Sequence, residues 1–166
     1  MELCDFLVYF TQLSICRTIN TALMTIRKTW SESKIYGQWL MPDRAGGCIN
    51  NRETFCDNPQ YIFQIYNSSL KPDEVLINLD QIGLRFLNRD NLTIGFFIMR
   101  VEDNRKYRVH SPKARIASTV FINSRSVFLR QKLECGKYVI IPSTYDRNYE
   151  GKFLLRIYTD NANHLK

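Results

Sequence analysis

The spacing of apolar residues changes character near residue 24. Before it, Leu3, Phe6, Leu7, Phe10 and Leu13 recur at intervals of three and four, which predicts an amphipathic helix over residues 1–13. Glu2 and Asp5 stand in its first turn, where the helix dipole favours carboxylates. A helix this short is marginal alone, so its apolar stripe needs a surface to lie against. After it the period is two: Met24, Ile26 and Lys28 alternate with Thr25, Arg27 and Thr29. Further strands are expected over residues 61–66, 74–80, 93–101, 107–109, 117–122, 126–133, 137–142 and 153–159. Turn signals separate them, among them Asn67-Ser68-Ser69 with Pro72, Glu102-Asp103-Asn104, Ser111-Pro112 and Cys135-Gly136.

About eight short strands at this spacing predict an all-β, antiparallel sandwich, with most strands apolar on one face and polar on the other. Ile94, Phe96, Ile98, Val101, Tyr138, Ile140, Leu154 and Ile157 are the expected core. Residues 37–59 read as one long loop, anchored by Trp39 and Phe55. No repeat or low-complexity tract interrupts the chain.

At 166 residues the chain can bury one good core. No apolar run approaches the ~20 residues that span a bilayer. The acidic start lacks the basic residues of a secretory signal, so a cytoplasmic location is expected, with peripheral membrane attachment as an option. The two sequons at Asn67 and Asn91 are then unused.

Five cysteines, Cys4, Cys16, Cys48, Cys56 and Cys135, fit neither a disulfide framework nor a zinc site and read as reduced thiols. Only His110 and His164 could serve a thiol nucleophile, one in an expected surface turn and one at the chain end. Cys48, in its glycine-rich loop, reads as a small packed residue. Asp90, Asp103 and Asp146 are loop aspartates without the paired spacing of a calcium site, and no metal ligand set is read.

The run Gly46-Gly47-Cys48-Ile49-Asn50 follows Gly37-Gln38-Trp39 and precedes Thr54-Phe55 and Asn58-Pro59-Gln60-Tyr61. This stretch resembles the start of domain III, the C2-like β-sandwich of the calpain large subunit. A second block, Gly136-Lys137-Tyr138-Val139-Ile140-Ile141-Pro142-Ser143-Thr144 followed by Glu150-Gly151-Lys152-Phe153, resembles the last two strands of that domain. Trp39, Gly46, Gly47, Cys48, Asn58, Pro59 and Gly151 carry this structural motif. Residues 6–16 resemble the end of the calpain protease core, and Ile26-Arg27-Lys28-Thr29-Trp30 the first strand beyond it. The resemblance thus implies a partial protease core over 1–23, domain III over 24–160 and a tail over 161–166. Asn91-Leu92-Thr93-Ile94-Gly95-Phe96 and Asn104-Arg105-Lys106-Tyr107-Arg108-Val109-His110 are most similar to the non-classical calpains, the calpain five and six type.

Calpains are intracellular, calcium-regulated cysteine endopeptidases. The resemblance places their catalytic Cys, His and Asn upstream of residue 1, so this chain is expected to be non-catalytic and to need no cofactor, with Ca2+ left to the parent protein. Classical calpains carry a dense acidic loop after the strand at 61–66. Here that loop holds only Asp73 and Glu74, beside Lys71, which argues against a calcium-sensitive electrostatic switch.

Charge is uneven: residues 1–83 carry 7 Lys/Arg against 9 Asp/Glu, and residues 84–166 carry 16 against 7. Arg100, Arg105, Lys106, Arg108, Lys113 and Arg115 form the densest cluster, with Arg85, Arg89, Arg125, Arg130 and Lys132 in the same half. Such a cluster suits acidic phospholipid headgroups or an acidic patch on an upstream protease core domain, and a plain solvated surface is the third reading. No nucleic-acid module is present. Two functions follow as expectations. One is a regulatory calpain domain that transmits domain orientation to the protease core. The other is a free-standing calpain-like module binding membrane, cytoskeleton or a protein partner. Oligomeric state is not legible.

Overall fold

The computed structural model describes residues 3–11, 19, 30–66, 72–83, 90–112 and 115–159. Among the described residues nine strands form two antiparallel sheets, as the period-two pattern requires. The first sheet runs β1 (Ser31–Trp39), β9 (Gly151–Thr159), β3 (Asp73–Ile82), β7 (Ser126–Leu133). The second runs β2 (Tyr61–Ile65), β8 (Gly136–Thr144), β4 (Thr93–Val101), β5 (Arg115–Ser118), with β6 (Ile122–Asn123) also on β4. A helix, α1 (Leu3–Tyr9), precedes the sandwich.

The main core lies between the sheets. Phe63 and Ile65 from β2, Val75, Ile77 and Leu79 from β3, and Ile94, Phe96 and Ile98 from β4 meet Tyr138 and Ile140 from β8 and Phe153, Leu155 and Ile157 from β9. Each set is spaced by two, so one face of every strand points inward. Removing these side chains from water is the main stabilising term, about 1.5–3 kcal/mol for each large one.

The outer faces differ. On the second sheet, Phe97, Met99, Val101, Val139 and Ile141 are covered by Phe55, Cys56 and Val109. β4 and β8 are therefore buried on both faces, against the one-sided expectation, because two long loops fold over them. The outer face of the first sheet is polar and open: Arg156 bridges Glu32 at 3.8 Å and Asp80 at 3.4 Å, and Tyr36 and Phe128 are exposed.

Several expectations need correction. Residues 31–39 form a strand, so Gly37 and Trp39 belong to β1 and not to the long loop. Residues 107–109 are not a strand, because Val109 is held by a side chain instead of a neighbouring backbone. The strand expected over 117–122 is split into β5 and β6. Leu154 is buried, but it faces outward between Tyr36 and Asp80, and Phe153 and Leu155 take the core positions. Val101 belongs to the second cluster. The alternation at 24–29, the boundary at 23/24, Leu13 and the tail 161–166 lie outside the described residues. In α1, Val8 and Tyr9 are exposed, and the Phe6 and Phe10 rings stack with centroids 4.6 Å apart.

Candidate functional site

Two loops cover the second sheet, and together they hold most of the residues singled out from the sequence. The first is the Gly-Gly-Cys loop. Asn58, 1% exposed, organises it: the Gly46 N–H donates to its Oδ1 at 3.2 Å, and its Nδ2 donates to the Gly47 and Phe55 carbonyls at 2.7 and 2.9 Å. The Thr54 hydroxyl donates to the Gly46 carbonyl at 2.7 Å. A Cβ on Gly46 would overlap the Thr54 carbonyl, so the two backbone segments touch only because the side chain is absent. Gly47 has φ +76°, and a Cβ there would also meet the Arg147 backbone nitrogen at 2.8 Å. Both requirements select glycine.

Cys48 is buried, and its N–H donates to the Tyr145 carbonyl at 3.0 Å. Pro59 continues the chain into β2. The Trp39 indole N–H donates to the Pro142 carbonyl at 3.1 Å, and its ring packs on Phe153 with centroids 4.5 Å apart. A Cβ on Gly151 would contact Leu92 at 3.1 Å and Trp39 at 3.5 Å. These seven motif residues form a packed support.

The second loop, residues 102–112, carries the basic cluster. It starts where β4 ends. Arg100, near that end, pairs with Glu134 at 3.4 Å and donates to the Cys135 carbonyl at 3.1 Å. Arg105 pairs with Glu102 at 2.8 Å and donates to the Arg108 carbonyl at 3.3 Å. Arg108 donates to the Cys56 carbonyl, which ties the two loops together. Lys106 and Tyr107 point to solvent, Tyr107 being 80% exposed. Arg115 opens β5, paired through its backbone with Met99, and Lys113 lies outside the described residues. Of the six, Arg105, Lys106 and Arg108 thus lie on one loop with Arg100 near its root, and Glu134 and Glu102 pair with Arg100 and Arg105.

The wider set of basic residues does not converge on it. Arg125 sits in the turn between β6 and β7, at the far end of the sandwich. Arg130 pairs with Glu74 on the outer face of the first sheet, and Lys132 is exposed on the same strand. Arg85 and Arg89 lie outside the described residues.

Sequence reasoning missed the side chains that fasten the basic loop. Gln60 accepts from the Val109 N–H at 2.7 Å and donates to the Val109 and Cys56 carbonyls at 2.8 and 2.9 Å. Lys137 donates to the Asp103 and Arg105 carbonyls. Gln81 makes a similar clamp elsewhere, on Leu92 and Ser124. Only the short Glu102–Arg105 spacing was visible in the chain itself.

Catalytic and metal chemistry find little support among the described residues. Burial pushes the Cys56 thiol up, against the pull of Arg108, so it is not poised as a thiolate. His110 is exposed in a turn, and His164 lies outside the described residues. Asp90 precedes β4 and Asp103 follows it, so about 30 Å of strand separates them, at ~3.4 Å per residue. Asp90, Asp103 and Asp146 cannot share one ion. No group of three or more metal-ligating side chains occurs among the described residues.

Residues 35–158 match the family model for the calpain large subunit, domain III. The chain is 47% identical to calpain-5 of Mus musculus, over 94% of this chain and 25% of that protein. It is 36% identical to calpain-5 of Caenorhabditis elegans, over 96% of this chain and 26% of that protein. Calpain-2 catalytic subunit of Gallus gallus is also 36% identical, over 96% of this chain and 26% of that protein. The chain thus spans about a quarter of the length of the curated relatives it matches. With a family model matched over most of a C2-like sandwich and relatives this similar, this chain belongs to the calpain family as a large-subunit domain III.

Proposed function

We propose that this domain is a non-catalytic regulatory module of a calcium-regulated cysteine endopeptidase, docked on the upstream protease core through its basic loop. The observation that carries this reading is topological. Arg100 and Lys106 lie at the end of the sandwich where β1 begins and β9 finishes, because β8 starts there and joins β9 by the hairpin at the opposite end. Residues leading into β1 and out of β9 therefore attach at the end that carries the cations. A domain joined through either segment is held at high local concentration, so modest charge attraction suffices to seat it.

The loop's fastening supports the same reading. Lys137 of β8 and Gln60, just before β2, hold its backbone, and Arg108 ties it to the Gly-Gly-Cys loop, so a push on the loop is passed to the sandwich. That is the property needed to transmit domain orientation. Calcium would act on other parts of the parent, in the cytoplasm.

A second reading, binding of acidic phospholipid, is favoured by exposed Tyr107 between Lys106 and Arg108. An aromatic ring flanked by cations suits the headgroup layer of a membrane.

The two are separable. The chain is titrated with the protease core of its parent protein at low and physiological salt, and floated in parallel with anionic liposomes. Core docking predicts salt-sensitive association that Arg100→Glu with Lys106→Glu weakens by about tenfold or more. Flotation without core association would replace it by the lipid reading. Neither association would overturn both.

A further inference from the structure

β1 and β2 are edge strands of their sheets, and a cavity of about 360 Å³ opens where they adjoin. Its polar lining is Tyr36, Gln38, Arg44, Tyr61 and Lys152, above the Phe153 ring. Gly37 is what lets Tyr61 take part. A Cβ on Gly37 would overlap both the Tyr61 hydroxyl and the Phe153 ring, so with glycine the phenol comes up against the β1 backbone.

Several arginines elsewhere on the domain are already engaged by protein groups: Arg100, Arg105, Arg108, Arg130 and Arg156 all hold protein acceptors. The Arg44 guanidinium, the Lys152 ammonium and the Tyr61 hydroxyl hold none among the described residues, and no carboxylate lines the cavity. Two cations and a phenol donor, none with an acceptor among the described residues, thus line one concavity. Burial pushes the Tyr61 phenol up, so it remains a donor at neutral pH.

We propose that this cavity binds a phosphate monoester, free or borne on a lipid headgroup, with Arg44 and Lys152 as its counter-charges and Tyr61 as a neutral donor. A phosphate monoester carries about −1.5 to −2 charges near pH 7, which two cations balance; a carboxylate would leave one unmatched. The arginine fork can take two phosphate oxygens, the lysine acts as a point charge, and the phenol is a donor suited to a third. The volume falls in the range of small-ligand sites, about 300–1,000 Å³. The site is independent of the basic loop: Lys152 lies near the start of β9, toward the end of the sandwich opposite Lys106.

The test uses the 166-residue chain with three probes: inorganic phosphate, inositol trisphosphate, and phosphatidylcholine vesicles with or without a phosphoinositide. Inositol trisphosphate is expected to shift the NMR signals of Gly37, Arg44 and Lys152. Arg44→Gln with Lys152→Gln should weaken binding about tenfold or more, and Tyr61→Phe about threefold, at unchanged melting temperature. Lys132→Gln, at the far edge of the sandwich, should leave binding as it was. Equal binding of the soluble and vesicle probes assigns the site to a free phosphate ester, and vesicle binding alone assigns it to a lipid. Absence of shifts at these residues with every probe, or binding that survives the double substitution, overturns the proposal.

Discussion

Gln60 holds Val109 as a neighbouring strand would: its Oε1 accepts from the Val109 N–H at 2.7 Å, and its Nε2 donates to the Val109 carbonyl at 2.8 Å. One side chain thus pairs both backbone groups of a residue 49 positions away and closes the basic loop over the second hydrophobic cluster. Replacing it leaves partly buried polar groups unpaired. Gln60→Ala is expected to cost about 1–3 kcal/mol and to speed hydrogen exchange at the Val109 amide, while exchange at Ile98 slows or speeds only with global stability. Unchanged exchange at Val109 would show that packing alone holds the loop.

Asn58 is the corresponding organiser of the Gly-Gly-Cys loop. Asn58→Ala removes three hydrogen bonds at a buried site and should destabilise by about 3 kcal/mol. Gly47→Val should cost about 2 kcal/mol or more, since valine is strained at φ +76° and its Cβ would press on Arg147. Urea unfolding of both variants measures these losses. A midpoint equal to that of the parent for Gly47→Val would mean that the loop relaxes freely.

Ser143 makes the opposite case. Its side chain is fully buried in β8, and its hydroxyl has no hydrogen-bond partner among the described residues. Ser143→Ala should therefore be neutral or stabilising by up to about 1 kcal/mol, read as a raised melting temperature. A loss above 1 kcal/mol would reveal a partner for that hydroxyl.

Alkaline pH should unfold this domain through its tyrosines. Burial raises the phenols of Tyr61, Tyr138 and Tyr158 above their ordinary value of 10.0. Above that pH the unfolded chain loses protons that the folded one still holds, so stability is complete below about pH 10 and falls as pH rises past it. Melting temperature against pH should bend downward there, together with the ultraviolet absorbance of tyrosinate. Tyr61→Phe should make the bend shallower, and an unchanged slope would remove Tyr61 from the account.

The fold was legible where local pattern and tertiary environment agree. Strands at 93–101 and 126–133 match their expected bounds because alternation, turns and β-branched residues all point the same way. β1 was missed. Its first half, Ser31 to Lys34, is polar, and Gly37 interrupts it, so local signals read as loop. What makes it a strand is β9, paired along its whole length from about 120 positions downstream. Leu154 is buried as expected, but on the outer face: in the run Phe153-Leu154-Leu155, alternation cannot tell which apolar residue faces inward. The two-sided burial of β4 could not be read either, since the loops that cover it carry charged residues of their own.

By itself the sequence determined the fold class, the family, the glycine loop and the presence of a basic cluster. Each of these rests on residue type at fixed local spacing. The tertiary structure alone decided that the cluster is fastened and partly neutralised, that its loop closes a second core, and that Arg44, Tyr61 and Lys152 share one cavity. Those properties depend on which distant segments meet. In an antiparallel sandwich, meeting is governed by strand order and register, which no local window of the chain contains.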